Sequence, residues 1–169
     1  GKELPAYESF RGSSADISLS SDGSMVAFER RSDPLYAGCW VEVRDTSTGE
    51  LIRSFGDKER RLATNAWGMR LVSFSTDGRL LATVDQSGLV RILELNPESQ
   101  VSDVHHDVMS EWDMEANQIG GAVNASFSPD NKLFFIGTMD GIIRGWDIES
   151  GEIRYDLQGI EEAPRRMAI

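Results

Sequence analysis

The segment VNASFSPDNKLFFIGTMDGIIRGWDIESGEI, from Val123 to Ile153, has two earlier counterparts in the same chain. DISLSSDGSMVAF begins at Asp16 and RLVSFSTDGRLLATV at Arg70, and each sets a turn aspartate between two apolar runs. The aspartates Asp22, Asp77 and Asp130 are spaced 55 and 53 residues apart. Periods of that size mark stacked supersecondary units, each unable to bury its own apolar faces without a neighbour. A repeat architecture is therefore the first constraint on the fold, and the remaining residues are read against it.

Each unit has the same local grammar. Alternating apolar residues such as Val72 and Phe74 form a first strand, and Ser-x-Asp-Gly or Ser-Pro-Asp-Asn forms a tight reversal. Gly23, Gly78 and Asn131 occupy the turn position that needs positive φ, which Gly tolerates freely and Asn at modest cost. An apolar run (MVAF, LLATV, LFFIG) then predicts a second strand covered on both faces. WVEVRD, LVRILEL and IIRGWD predict a third strand, and LIRSF, QVSDVHH and IRYDL a fourth. Repeated four-stranded antiparallel units predict an all-β fold of radially packed blades, a β-propeller.

These residues resemble the WD-repeat β-propellers. Trp146-Asp147 is an intact signature dipeptide, with Arg44-Asp45 and Leu93-Glu94 as degenerate counterparts. The resemblance implies a blade-bracing role for Thr138, Asp140 and Trp146, three members of that family's hydrogen-bonded tetrad. The histidine that would complete it is replaced by QIGGAV. The TolB-like propeller repeats are the nearest rival, since SSDGSMVAFERRSD fits either pattern.

The units divide the chain into blade 1 at 14–57, blade 2 at 68–107 and blade 3 at 121–159. Residues 1–10 read as the fourth strand of a missing preceding blade, because GKEL repeats the TGEL and SGEI entries. Residues 164–169 read as the start of a following blade. Three blades fall short of the roughly 4 to 8 of closed propellers. The expectation is an incomplete ring that belongs to a longer propeller or is completed by self-association.

The first unit carries additional residues in ERRSDPLYAG, and the links between units are extended in GDKERRLATNAWGMR and HHDVMSEWDMEANQIGG. In a four-stranded meander, the connection from second to third strand and the connection between blades lie at the same end. All the insertions are thus expected on one rim, where loops on a rigid scaffold carry binding function. Arg30, Arg31, Tyr36, Trp67, His106, Glu111 and Trp112 are the partner-binding candidates, since aromatic and arginine side chains anchor protein interfaces.

Composition excludes other classes. A net charge of −11 opposes binding to phosphate backbones and to anionic membranes, and no apolar run approaches the roughly 20 residues of a membrane helix. The single cysteine, Cys39, points to a reducing compartment and so to the cytoplasm. His105 and His106 are adjacent, so on a strand they face opposite ways, and no further ligands stand nearby. No metal or cofactor is expected, and no nucleophile elbow or phosphate-binding loop occurs. The sequence thus predicts a noncatalytic scaffold for a protein or peptide. The alternative is the propeller portion of a larger enzyme or signalling protein, acting as a substrate gate or regulatory domain.

Overall fold

A computed structural model describes residues 17–31, 39–56, 69–85, 89–95, 101–102, 108–113, 122–139 and 141–158. The first sheet contains β1 (Ile17–Leu19), β2 (Met25–Arg31), β3 (Cys39–Asp45) and β4 (Leu51–Phe55). The second contains β5 (Met69–Phe74), β6 (Leu80–Asp85), β7 (Leu89–Glu94) and β9 (Val108–Asp113). The third contains β10 (Ala122–Phe127), β11 (Leu133–Thr138), β12 (Ile143–Asp147) and β13 (Ile153–Leu157). Each is an antiparallel meander, and the first strands β1, β5 and β10 lie side by side. The described chain is all-β, an incomplete propeller of three blades.

The fourth strand of the second blade differs from the sequence reading. QVSDVHH was the expected strand, but β9 at Val108–Asp113 pairs with β7 instead. The short β8 (Val101–Ser102) crosses to the first sheet and lies parallel to β4, with Ser54 opposite Val101 and Phe55 opposite Ser102. The added length of this blade therefore includes the β7–β9 connection at the tight-turn end, and is not confined to the opposite rim. Several nearby segments could pair equally well by alternation alone, and the edge of another sheet selects among them.

Each blade has a leading face toward the next blade and a trailing face toward the previous one. Ala27, Val41, Val43 and Phe55 on the leading face of blade 1 share a core with Val72, Phe74, Leu81 and Leu93 on the trailing face of blade 2. Ala82, Val84 and Ile92 on the leading face of blade 2 share a second core with Phe127, Phe134, Ile136 and Trp146 of blade 3. Blade 2 is thus covered on both faces, which accounts for the unbroken apolar run of β6.

Three copies of one turn close the first hairpins. Ser20, Ser75 and Ser128 each accept a backbone N–H and donate to the turn aspartate at 2.7, 2.7 and 2.6 Å. Asp22, Asp77 and Asp130 also accept the amides of Ser24, Arg79 and Lys132. Gly23, Gly78 and Asn131 follow at φ of 71°, 69° and 57°. The turns also join one another. Ser21 donates to the Thr76 carbonyl at 2.7 Å, while Thr76 donates through its hydroxyl to the Pro129 carbonyl and through its amide to Asn131 Oδ1.

These hydrogen bonds favour the ionised carboxylates. The Ser20 hydroxyl, followed by the Ser24 amide and hydroxyl, lowers Asp22 to about 2. The Ser47 hydroxyl, with the Thr48 and Ser47 amides, does the same for Asp45 in the turn after β3. Burial works to raise Asp77, but its bonds from Ser75 and the Arg79 amide, with the charge of Arg79, bring it below the ordinary value. A folded-state pKa below the unfolded one adds stability above pH 3.8 that disappears as pH falls toward 2. Asp22→Ala should therefore lower the urea midpoint at neutral pH, and its difference from the parent chain should close between about pH 4 and pH 2.

A paired substitution tests the blade packing. Phe55 in β4 and Leu157 in β13 occupy the same place in their repeats, opposite Val41 and Ile143. Phe55 is fully buried and Leu157 is exposed. Phe55→Ala should cost about 3–5 kcal/mol in urea unfolding, and Leu157→Ala within about 0.5 kcal/mol of zero in a single chain.

Candidate functional site

The two rims use their polar groups differently. At the tight-turn rim, the aspartates and hydroxyls are committed to the turns themselves. The other rim receives the ends of β2, β4 and β11 and the starts of β3, β5 and β10. Here Met69 N donates to Glu29 Oε1 at 3.0 Å, joining blades 1 and 2. Arg70, at an irregularity in the β5–β6 pairing, donates through Nε to the Ala122 carbonyl of blade 3. Its Nη2 lies 3.6 Å from Met139 Sδ. Met139 is 63% exposed, an apolar side chain presented at the rim beside a cation.

The trailing face of blade 1 carries the largest side-chain cluster. Along β3, Trp40, Glu42 and Arg44 alternate onto one face, and Arg30 joins them from β2, where it pairs with Trp40. Trp40 Nε1 donates to Glu42 Oε1 at 3.2 Å, and Arg30 Nε lies 3.3 Å from the same oxygen. Arg44 reaches Glu42 Oε2 through Nε at 2.8 Å and Nη2 at 2.7 Å, and donates through Nη1 to the Gly49 carbonyl. Both oxygens of a nearly buried carboxylate are thereby engaged, with two guanidinium groups fixed around one anion. Among the described residues the cluster sets two guanidinium groups against one carboxylate, on a chain of net charge −11. Ile17 and Leu19 extend the same face as exposed apolar residues.

The structure places the sequence candidates as follows. Arg30 belongs to the Glu42 cluster, and Arg31 ends β2 opposite the buried Cys39. Glu111 and Trp112 are strand residues of β9, opposite Arg91 and Val90, and not loop residues. Tyr36, Trp67, His106 and Asp140 lie outside the described residues. Thr138 is buried and closes the β11–β12 turn by exchanging bonds with the Ile142 amide and carbonyl at 3.2 and 3.1 Å. Trp146 is buried in the core between blades 2 and 3. Among the described residues no group of three or more His, Cys, Asp or Glu could hold a metal ion.

Trp40, Glu42 and Arg44 were not selected by sequence reasoning. Their signal lies in the repeat alignment: Glu42 stands where the other units have Arg91 and Arg144, and Arg44 where they have Leu93 and Trp146. A position that is arginine or apolar in two units and inverted in the third marks a face with a different neighbour.

Four-stranded antiparallel blades with Asx-closed turns define a propeller of repeated units. Residues 118–147 match the WD40 family model, described as WD domain, G-beta repeat. U3 small nucleolar RNA-associated protein 15 of Schizosaccharomyces pombe is 25% identical over 123 residues, covering 70% of this chain and 23% of that protein. WD repeat-containing protein 38 of Homo sapiens is 44% identical over 43 residues, covering 25% of this chain and 14% of that protein. The chain thus spans less than a quarter of the length of either relative. Residues 118–147 thus carry a WD repeat, and the chain is similar to WD-repeat proteins, whose repeats serve in general as protein-interaction scaffolds.

Glu42→Gln should remove the carboxylate that Arg30 and Arg44 share. The expected loss is about 1–3 kcal/mol of unfolding free energy, measured in urea, and it should shrink as salt screens the two cations.

Proposed function

We propose that the chain binds a protein or peptide through the rim opposite its tight turns. The observation that carries this reading is the contrast between the rims. One commits its aspartates and hydroxyls to its own turns, whereas the other presents Met139 beside Arg70, with Arg30 at the corresponding end of blade 1. Methionine adapts to irregular apolar contacts, and arginine supplies forked donors. The strand ends that hold these groups are braced across blades by Glu29 to Met69 and by Arg70 to Ala122, so little backbone ordering is required on binding.

The Schizosaccharomyces pombe relative is, by its name, associated with a small nucleolar RNA. In a comparable setting, a chain of net charge −11 would be drawn to a protein component of such an assembly and not to RNA phosphates.

Selection of peptides from a displayed random library on the immobilised chain tests the location. Binders should lose at least about tenfold in affinity to Met139→Asp and keep their affinity for Lys132→Glu on the opposite rim. Binders that respond to Lys132→Glu and ignore Met139→Asp would move the site to the tight-turn rim.

A further inference from the structure

We propose that Met139 is a site of reversible oxidation to methionine sulfoxide, and that the Arg70 guanidinium holds the added oxygen. Neither step requires a partner at the rim. Three methionines have described side chains: Met139 is 63% exposed, Met25 is half-buried and Met69 is fully buried. A thioether is oxidised through a sulfur lone pair, so the oxidant must reach the sulfur, and among these three Met139 offers the freest access.

Both members of the pair are held in place before any reaction. Arg70 is anchored across blades by the bond from its Nε to the Ala122 carbonyl, and its Nη2 lies 3.6 Å from Met139 Sδ. Met139 follows Thr138, a buried residue that exchanges bonds with the Ile142 amide and carbonyl and accepts the Gly141 amide at its own carbonyl. The turn that carries the sulfur is therefore closed on itself. A thioether sulfur is a weak acceptor, and its contact with the guanidinium is correspondingly weak. A sulfoxide oxygen carries much of the negative charge of its S–O bond and projects from the same sulfur, within hydrogen-bond reach of a donor already in contact. The bond it accepts from a guanidinium is charge-assisted, a class roughly twice as strong as neutral pairs.

The repeat supplies a second observation. With Ile142 aligned to Leu89, the counterpart of Met139 in the second unit is Gln86. In glutamine, Cδ takes the place of the methionine sulfur and Oε1 that of the added oxygen. A neutral oxygen acceptor is thus already in use at this position of the repeat.

Hydrogen peroxide suffices as the oxidant. The sulfur lone pair attacks one peroxide oxygen, the S–O bond forms as the O–O bond breaks, and the departing hydroxide takes the proton of the new S–OH group to leave as water. Sulfur loses two electrons and the peroxide gains them. Methionine sulfoxide reductases reverse the change, one enzyme for each epimer, with the two electrons drawn from a thiol that becomes a disulfide. The product replaces a weak contact between blades 2 and 3 with a stronger tie, and turns an apolar rim side chain into a polar one.

The full 169-residue chain and its Met139→Leu variant are treated with hydrogen peroxide and followed by peptide mass mapping. Met139 should gain one oxygen at least about tenfold faster than Met69, and the two reductases with a thiol should remove it. Met139→Leu, oxidised alongside, accounts for every other methionine. Relative to it, oxidation should raise the urea midpoint of the parent chain, and the rise should vanish in Arg70→Ala. Met139→Gln tests the same bond without an oxidant or a change at Arg70, so a poorly folded Arg70→Ala variant leaves the test decisive. Its midpoint should exceed that of Met139→Leu. Oxidation of Met139 no faster than of Met69, a midpoint that falls or stays level on oxidation, a rise that persists in Arg70→Ala, or a Met139→Gln midpoint no higher than that of Met139→Leu would each overturn the proposal.

Discussion

The packing of one sheet face on the next is the interaction on which the rest of this structure depends. Strands such as LLATV and LFFIG carry apolar residues on both sides, so no blade can be satisfied by a single neighbour. Apolar burial contributes roughly 25 cal/mol per Å², and a blade that has lost one cover loses about half of its share. The polar residues within the junctions are correspondingly held. Glu29 accepts the Met69 amide across the gap, and the Arg53 guanidinium lies 5.4 Å from the centre of the Phe55 ring. Both arrangements keep a charged group in a predominantly apolar seam by giving it a fixed partner.

The turn network sets the geometry that this packing requires. Each turn is closed by its own serine and aspartate, and successive turns are then tied by Ser21 to Thr76 and by Thr76 to Pro129 and Asn131. A second set of bonds, from Thr46 to Ser24, Leu95 to Arg79 and Ile148 to Lys132, ties the third strand of each blade to its first turn. The described turns of this rim therefore form a continuous hydrogen-bonded band whose aspartates and hydroxyls are committed to one another. The series of side-chain donors ends at Pro129, which has neither a hydroxyl nor an amide hydrogen to pass on. The band is thus directional, as the faces are.

The parts of the fold that were legible in the sequence are those decided within a few residues. The reversal at Ser-Thr-Asp-Gly needs only its own four residues and a left-handed glycine, so alternation and turn chemistry were enough to place β5 and β6. The fourth strand of blade 2 was not legible. QVSDVHH and VMSEWD both alternate, and the choice between them depends on pairing with β7 and on an edge of β4 distant in sequence. The candidate site was legible only in part. Arg30 was selected because it lies near an insertion, but its partner Glu42 sits in an ordinary strand, and only the fold brings the two together.

The shared positions of the repeats are occupied with folding, which leaves the differences between repeats to distinguish this propeller from others of the same architecture. Those differences concentrate on the trailing face of blade 1. Trp40 stands in the place of Leu89 and Ile142, Glu42 in the place of two arginines, and Arg44 in the place of Leu93 and Trp146. If that face met the same kind of neighbour as the other two trailing faces, these substitutions would bury a carboxylate and a guanidinium group in an apolar seam. Their bonds to one another lower that cost without abolishing it. A face with its own internal ion cluster can instead be covered and uncovered, because its charges keep their partners in both states.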